Sequence, residues 1–198
     1  MTWPAHRTPA YFVSRVRRSL YERQHPDQPW LVQEAVDLLA SLLRPTDVVL
    51  EWGSGRSTAW LAGRVGRLVS VEDSEIWAEK VRVILEEKGL PVDYRVHTGQ
   101  DYIDVANGFE DESLDVCLID GSRRDACARA AISKIKRGGL LVVDDVQRYL
   151  GHSSIRAPNV LSADQADPAW ADVAATLRSW RAVWFSDGVS ATAIFLRT

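Results

Sequence analysis

Residues 48–62 read Val48-Val49-Leu50-Glu51-Trp52-Gly53-Ser54-Gly55-Arg56-Ser57-Thr58-Ala59-Trp60-Leu61-Ala62, an apolar run that passes through two glycines into a stretch with helical spacing. A strand, a glycine turn and a helix in that order form the opening unit of an α/β sheet. Gly53 and Gly55 let the backbone turn tightly and let a ligand approach it, and the amides that open the next helix favour an anionic group.

The same alternation continues along the chain. Strands are expected at Asp47–Trp52, Arg67–Glu72, Val92–Val96, Leu114–Ile119 and Leu140–Val143, each short, mostly apolar and closed by Gly, Asp or Glu. Helices are expected between them at Ser57–Gly63, Ile76–Lys88, about Gln100–Ala106 and Arg123–Lys136. Right-handed crossovers then give a parallel sheet covered on both faces. Arg181–Asp187 and Ala191–Arg197 are joined only by Gly188-Val189-Ser190, too short for a crossover, so the sheet should close with an antiparallel hairpin. The expected fold class is α/β, a Rossmann-like doubly wound seven-stranded sheet of five parallel strands plus a C-terminal hairpin.

Ahead of this unit, residues 1–45 suggest two helices, Ala10–Arg23 and Pro29–Leu43, forming an extension to a 46–198 domain. The arginines Arg7, Arg15, Arg17, Arg18 and Arg23 could recognise an anionic substrate or RNA, but read more simply as a solvated face opposite Phe12, Val13, Val16 and Leu20, and the segment is expected to cap the substrate. Residues 151–168 lack apolar periodicity and read as a long loop, a length common among active-site lids.

Composition narrows the function classes. With 46% apolar and 26% charged residues the chain is an ordinary globular protein, and its net charge of −3 lacks the basic footprint of a nucleic-acid binder. Cys117 and Cys127 show no metal-site spacing and fit a reduced compartment. No apolar run approaches the ~20 residues of a bilayer span, and MTWPAHRTPAYF lacks a signal-peptide core. The expected setting is cytoplasmic, the expected partner a small molecule rather than nucleic acid or membrane, and a homodimer is allowed. Of the eight tryptophans, Trp3, Trp30 and Trp52 fall in or before the first turn and read as packing residues.

The turn's ligand is narrowed by its neighbours. Thr58 stands where a dinucleotide fingerprint has a third small residue, and no GK[ST] follows. Glu72 ends the second strand, 17 residues after Gly55, where a carboxylate can accept both hydroxyls of a ribose or else cap the next helix. Asp101, after the third strand, can contact a base edge or cap a helix.

Glu51-x-Gly53-x-Gly55, Glu72, Asp101, Asp120-Gly121 ending the fourth strand, Gly138-Gly139 before the fifth and the closing hairpin together resemble the class I S-adenosylmethionine-dependent methyltransferases. The resemblance covers Asp47 to the C-terminus. It implies that Glu51 and the Gly53-Ser54-Gly55 turn, with Ser57 and Thr58, hold the methionine part of S-adenosylmethionine. It also implies that Glu72 with Asp73 holds the ribose and Gln100 with Asp101 the adenine, with Asp120 beside the cofactor. The stretch Ile119 to Cys127 followed by Val142-Val143-Asp144-Asp145 is similar to the small-molecule O-methyltransferase branch.

On the acceptor side, Asp120, Asp144 and Asp145 end neighbouring strands and would repel one another unless protonated, paired or metal-bound. One reading is a Mg²⁺ site made by all three, similar to catechol O-methyltransferase but with an aspartate in place of an asparagine. The other pairs them with Arg123, Arg124 or Arg148 and leaves Asp120, Asp144 or His152 as the general base. The expected function is O-methylation of a small molecule. Its rivals are an NAD(P)-dependent oxidoreductase and a non-catalytic cofactor-binding protein.

Overall fold

The structure, a computed structural model, describes residues 8–163 and 165–198; Trp3 and Arg7 lie outside the described residues. Two helices, α1 (Pro9–Gln24) and α2 (Gln33–Leu42), precede the alternating unit. It runs β1 (Val48–Trp52), α3 (Arg56–Ala62), β2 (Arg67–Glu72), α4 (Glu75–Lys88), β3 (Asp93–Val96), α5 (Gly99–Asp104), β4 (Leu114–Ile119), α6 (Arg124–Ala131) and β5 (Ile135–Val143). The chain ends in α7 (Ala171–Leu177) and a hairpin of β6 (Arg181–Ser186) and β7 (Ala191–Leu196).

The seven strands form one sheet in the order β3-β2-β1-β4-β5-β7-β6. The first five are parallel, and β7 lies antiparallel between β5 and β6 with Val143 opposite Ala193. This is the sheet expected from the sequence. Strand order reverses between β1 and β4, and the crevice at their carboxyl ends is where ligands bind in open α/β sheets.

Alternation of side chains explains why these strands are almost wholly apolar. Leu50, Trp52, Leu141 and Val143 point into a core roofed by α5, α6 and α7, while Val49, Leu140 and Val142 point into a second core under α2 and α3. Trp52 is fully buried, and its indole Nε1 donates to the Tyr102 carbonyl at 2.7 Å, so it is a core residue of the first layer. Helix α4 starts at the Ser74 cap and stops at Gly89, whose φ of 59° places it in the left-handed region.

The expected elements need two corrections. The helix expected over Arg123–Lys136 ends at Ala131, because Ile135 joins β5 opposite Leu114 and the strand bends through Gly138 (φ 78°). Helix α7, absent from the expected elements, is introduced by Asp167 capping Pro168–Trp170 and buries Val173 and Leu177 one turn apart. Helix α2 packs on the sheet, with Ala35, Val36 and Leu39 buried in the same core as Val49, Trp60 and Ile194. From Gly151 to Asp167 the described residues form no helix or strand beyond one bridge between Leu150 and Ala166, in keeping with the long loop expected.

Candidate functional site

The glycine turn after β1 is locked from all sides. The N–H of Gly53 donates to Val71, that of Ser54 to Glu72, and that of Gly55 to Thr58 Oγ1. Gly53 has φ 89°, and a Cβ on it would sit 2.3 Å from the Gly121 nitrogen, so the turns after β1 and β4 are in backbone contact. A Cβ at Gly55 would meet nothing within 4 Å, which leaves a clear approach for a ligand.

Thr58 has a role that its place in a glycine pattern concealed. Its hydroxyl accepts from Gly55 N–H and donates to Glu51 Oε2 at 2.6 Å, and Ser70 Oγ donates to the same oxygen at 2.6 Å. The other oxygen, Glu51 Oε1, is buried with no hydrogen-bond partner among the described residues. Burial pushes the Glu51 carboxyl up to about 6, against the neighbouring Ser57, Ser70 and Thr58 hydroxyls, which hold it down. An acceptor oxygen left unpaired beneath a cleared glycine turn fits the ammonium of an amino-acid ligand, whose arrival would offset the desolvation of that oxygen.

Glu72, at the end of β2, fills all its acceptor positions. Oε2 takes Ser54 N–H at 3.0 Å and Ser54 Oγ at 2.7 Å, while Oε1 takes the N–H groups of Asp73 and Ser74. It thus joins the glycine turn to the start of α4, and a diol at Oε2 would take the place of the Ser54 hydroxyl, which also meets Tyr94 Oη at 2.8 Å. Asp73 accepts from Ser122 Oγ, tying the ends of β2 and β4. Gln100 and Asp101 are exposed in the first turn of α5, with Gln100 donating along the helix to Asp104.

The three acids at the ends of β4 and β5 each have a partner. Arg124 donates to Asp120 Oδ1 at 3.0 Å and to the carbonyls of Asp120, Gly121 and Asp144, so one guanidinium closes the gap between the two strands. Asp144 is buried and accepts from Thr192 Oγ1 at 2.6 Å. Asp145 accepts from Ser190 Oγ and Gln147 and pairs with Arg148.

These surroundings separate their protonation. Burial pushes Asp120 up to about 6 against the pull of Arg124, and burial together with Asp120 pushes Asp144 up to about 8. Asp145 is held below the ordinary carboxylate value, because its hydrogen bonds from Ser190 and Gln147 outweigh desolvation.

The donor set does not fit a divalent cation. Among the described residues no three acid, histidine or cysteine side chains gather around one point, and the arginines Arg124 and Arg148 already pair with Asp120 and Asp145. Arg123, the third arginine expected to pair, makes no ion pair among the described residues.

His152 is not brought to these acids. Its ring stacks on Trp184 at 4.8 Å, and Nδ1 accepts from Ser154 N–H. Trp184 packs on the core under α6 and α7, whereas Thr192, which holds Asp144, points with Ile194 to the opposite face of the sheet. The chain after Asp145 crosses to the other layer, which its sequence does not reveal.

The docking of α1 was only partly legible. Arg18 of α1 pairs with Glu22 at 2.9 Å and Asp187 at 3.5 Å and donates to the Trp30 carbonyl at 2.7 Å. Burial lowers the proton affinity of this guanidinium, and Glu22, Asp187 and Asp144 more than offset it. Tyr11 and Ser14 of α1, Arg156 of the long loop and Asp187 of the hairpin tip line a cavity of about 560 Å³.

Comparison with known proteins agrees with this fold. A protein-family model described as a methyltransferase domain matches residues 50–146. A search of curated proteins finds no match. Among solved structures, the O-methyltransferase TomG from Streptomyces achromogenes, involved in tomaymycin synthesis and solved with SAM, is 21% identical, with TM-score 0.61 over 93% of this chain and 90% of that one. The O-methyltransferase from Bacillus cereus in complex with SAH is 19% identical, with TM-score 0.61 over 93% and 91%. An rRNA methylase from Streptococcus thermophilus is 13% identical, with TM-score 0.57 over 81% and 92%. At these identities the likeness is one of fold, and it spans proteins with different acceptors.

Proposed function

The chain belongs to the S-adenosylmethionine-dependent methyltransferases, and from that premise we propose that it methylates an oxygen of a small molecule. The observation that carries this reading is the Asp120 carboxylate. It ends β4 beside the glycine turns, its side chain is 28% exposed, Arg124 holds Oδ1, and Oδ2 accepts no hydrogen bond among the described residues. With its affinity for protons raised to about 6, it can take the proton of an acceptor hydroxyl at neutral pH. An amine acceptor that is already neutral would need no such base at its nucleophilic lone pair.

When bound, S-adenosylmethionine supplies an electrophilic methyl group on a sulfonium sulfur. The residues of this chain hold and align the partners, which is the larger share of such a displacement and can be worth roughly 7–11 kcal/mol. Glu51 Oε1 receives the cofactor ammonium, and Gly53, Ser54 and Gly55, with Ser57 and Thr58 in the first turn of α3, shape the space around it. Glu72, steadied by Asp73, receives the ribose hydroxyls, and Gln100 and Asp101 border the adenine. Asp144, protonated at neutral pH and held by Thr192, limits the negative charge next to Asp120 so that only one of the two ionises.

Residues 46–198 form the transferase body in this reading, and residues 1–45 cover the acceptor. The covering part is α1, since Arg18 ties it to the hairpin tip and Tyr11 and Ser14 border the 560 Å³ cavity. The test is transfer of a labelled methyl group from S-adenosylmethionine to a panel of phenols and aliphatic hydroxy compounds, with amines and RNA as comparators. Label in alkali-stable O-methyl products supports the proposal. Label confined to amines or RNA, or a cofactor that binds without transfer to any hydroxyl, overturns it.

A further inference from the structure

Helix α1 is docked the wrong way round for a helix that only covers its own domain. Its polar side faces inward: Arg18 meets Asp187 and the Trp30 carbonyl, Arg56 reaches back to the Glu22 carbonyl, and Ser14 lies against Gly188. No residue of α1 is buried. Its apolar residues fall at i, i+1, i+4 and i+8 on one side, and Phe12, Val13, Val16 and Leu20 are 59%, 52%, 58% and 51% exposed. An amphipathic helix ordinarily turns such a stripe toward the core. The arginines expected to oppose a buried stripe instead surround an open one, and Arg18 alone has turned in.

The charges around the stripe say what covers it. Arg15, Arg17 and Arg23 are exposed and make no ion pair among the described residues, and Glu22, the one acid of α1, is taken by Arg18. A second copy set on the same stripe would bring these arginines against their own counterparts with no acid to separate them. A stripe of four side chains is also small beside the ~800 Å² per partner of a stable dimer.

We infer that α1 lies on an anionic lipid surface, with Phe12, Val13, Val16 and Leu20 among the acyl chains and Arg15, Arg17 and Arg23 at the headgroup phosphates. This is surface binding, distinct from spanning: among the described residues no helix is long and apolar enough to cross a membrane. Because the whole chain carries a net charge of −3, the attraction is local to α1 and sensitive to salt.

The experiment is co-sedimentation of the full chain with vesicles of phosphatidylcholine alone or mixed with phosphatidylglycerol, at low ionic strength and at about 0.15 M. The expected result is binding to the mixed vesicles only, weakened by salt. Val16→Asp should abolish it, and Arg17→Gln and Arg23→Gln should each weaken it about fivefold. Since these side chains are exposed, the variants keep the wild-type thermal midpoint, which separates lost binding from lost folding. Equal binding to neutral vesicles, no binding to anionic ones, or a Val16→Asp variant that still sediments overturns the inference. So does light scattering that shows a dimer split by Val16→Asp while vesicles leave the protein in solution, which would assign the stripe to a second copy.

Discussion

Glu72 receives both the backbone N–H and the hydroxyl of Ser54, so the acid that ends the second strand is fastened to the first glycine turn before any ligand arrives. A ribose at this carboxylate would find an oriented acceptor in place of a mobile one. Replacing Glu72 with alanine should weaken S-adenosylhomocysteine binding by about tenfold or more, the scale of losing hydrogen bonds to a charged group worth ~1.5–3 kcal/mol. Titration calorimetry measures this directly, and an unchanged dissociation constant would remove Glu72 from the binding site.

Glu51 makes stability depend on pH. Its folded-state value of about 6 lies above the ordinary glutamate value of 4.5, so the carboxyl binds its proton more tightly folded than unfolded. That contribution is fully present below about pH 4.5 and is lost as pH rises through about 6. Relative to a Glu51→Gln variant, the cofactor-free protein should lose about 2 kcal/mol between pH 4.5 and 7.5, as read from urea unfolding at each pH. A difference that does not vary with pH would count against the buried, unpaired carboxylate.

Asp120, as the proposed base, should govern the rate in the same range. Its carboxyl is pushed up to about 6, so turnover limited by proton removal should rise with pH through about 6 and then level off. Asp120→Asn should flatten that limb and lower kcat by about 100-fold, with little change in cofactor affinity. A pH profile that keeps its limb in the variant would place the base elsewhere.

His152 stacks on Trp184 in the other layer of the protein, and its loss should be felt as packing. His152→Ala should lower the thermal midpoint by a few degrees, on the order of 1 kcal/mol, and leave kcat within about twofold. A loss of turnover with unchanged KM and stability would return the imidazole to the chemistry.

Much of this architecture could be read from residue order because parallel strands buried on both faces leave a distinct apolar signature between glycine and acid endings. The hairpin was legible in the three residues between its strands, and the first turn in Gly53 and Gly55. The helix–strand boundary near Ile135 was not, since Ile135 continues the helical spacing of Cys127 and Ala131 and only pairing with Leu114 assigns it to β5. Nor could spacing tell which side of α1 faces inward: it locates a stripe, and the partners of Arg18 decide the orientation. The role of Thr58 was hidden because its hydroxyl meets Gly55 and Glu51 only once the turn is folded, and Arg124 was singled out from the three candidate arginines only by the Asp144 carbonyl that the sheet brings beside it.

The backbone contact between Gly53 and Gly121 separates what selection can vary from what it cannot. Neither Gly53 nor Gly121 tolerates even a methyl group, so the floor of the crevice is the same for any acceptor. The residues proposed to wall the acceptor are not constrained in this way, because Tyr11, Ser14, Arg156 and Asp187 come from three independent segments that can be exchanged without moving that floor. Engineering of acceptor range therefore has a natural seam: substitutions in α1, the 151–163 loop and the hairpin tip should retune specificity while the cofactor half stays intact.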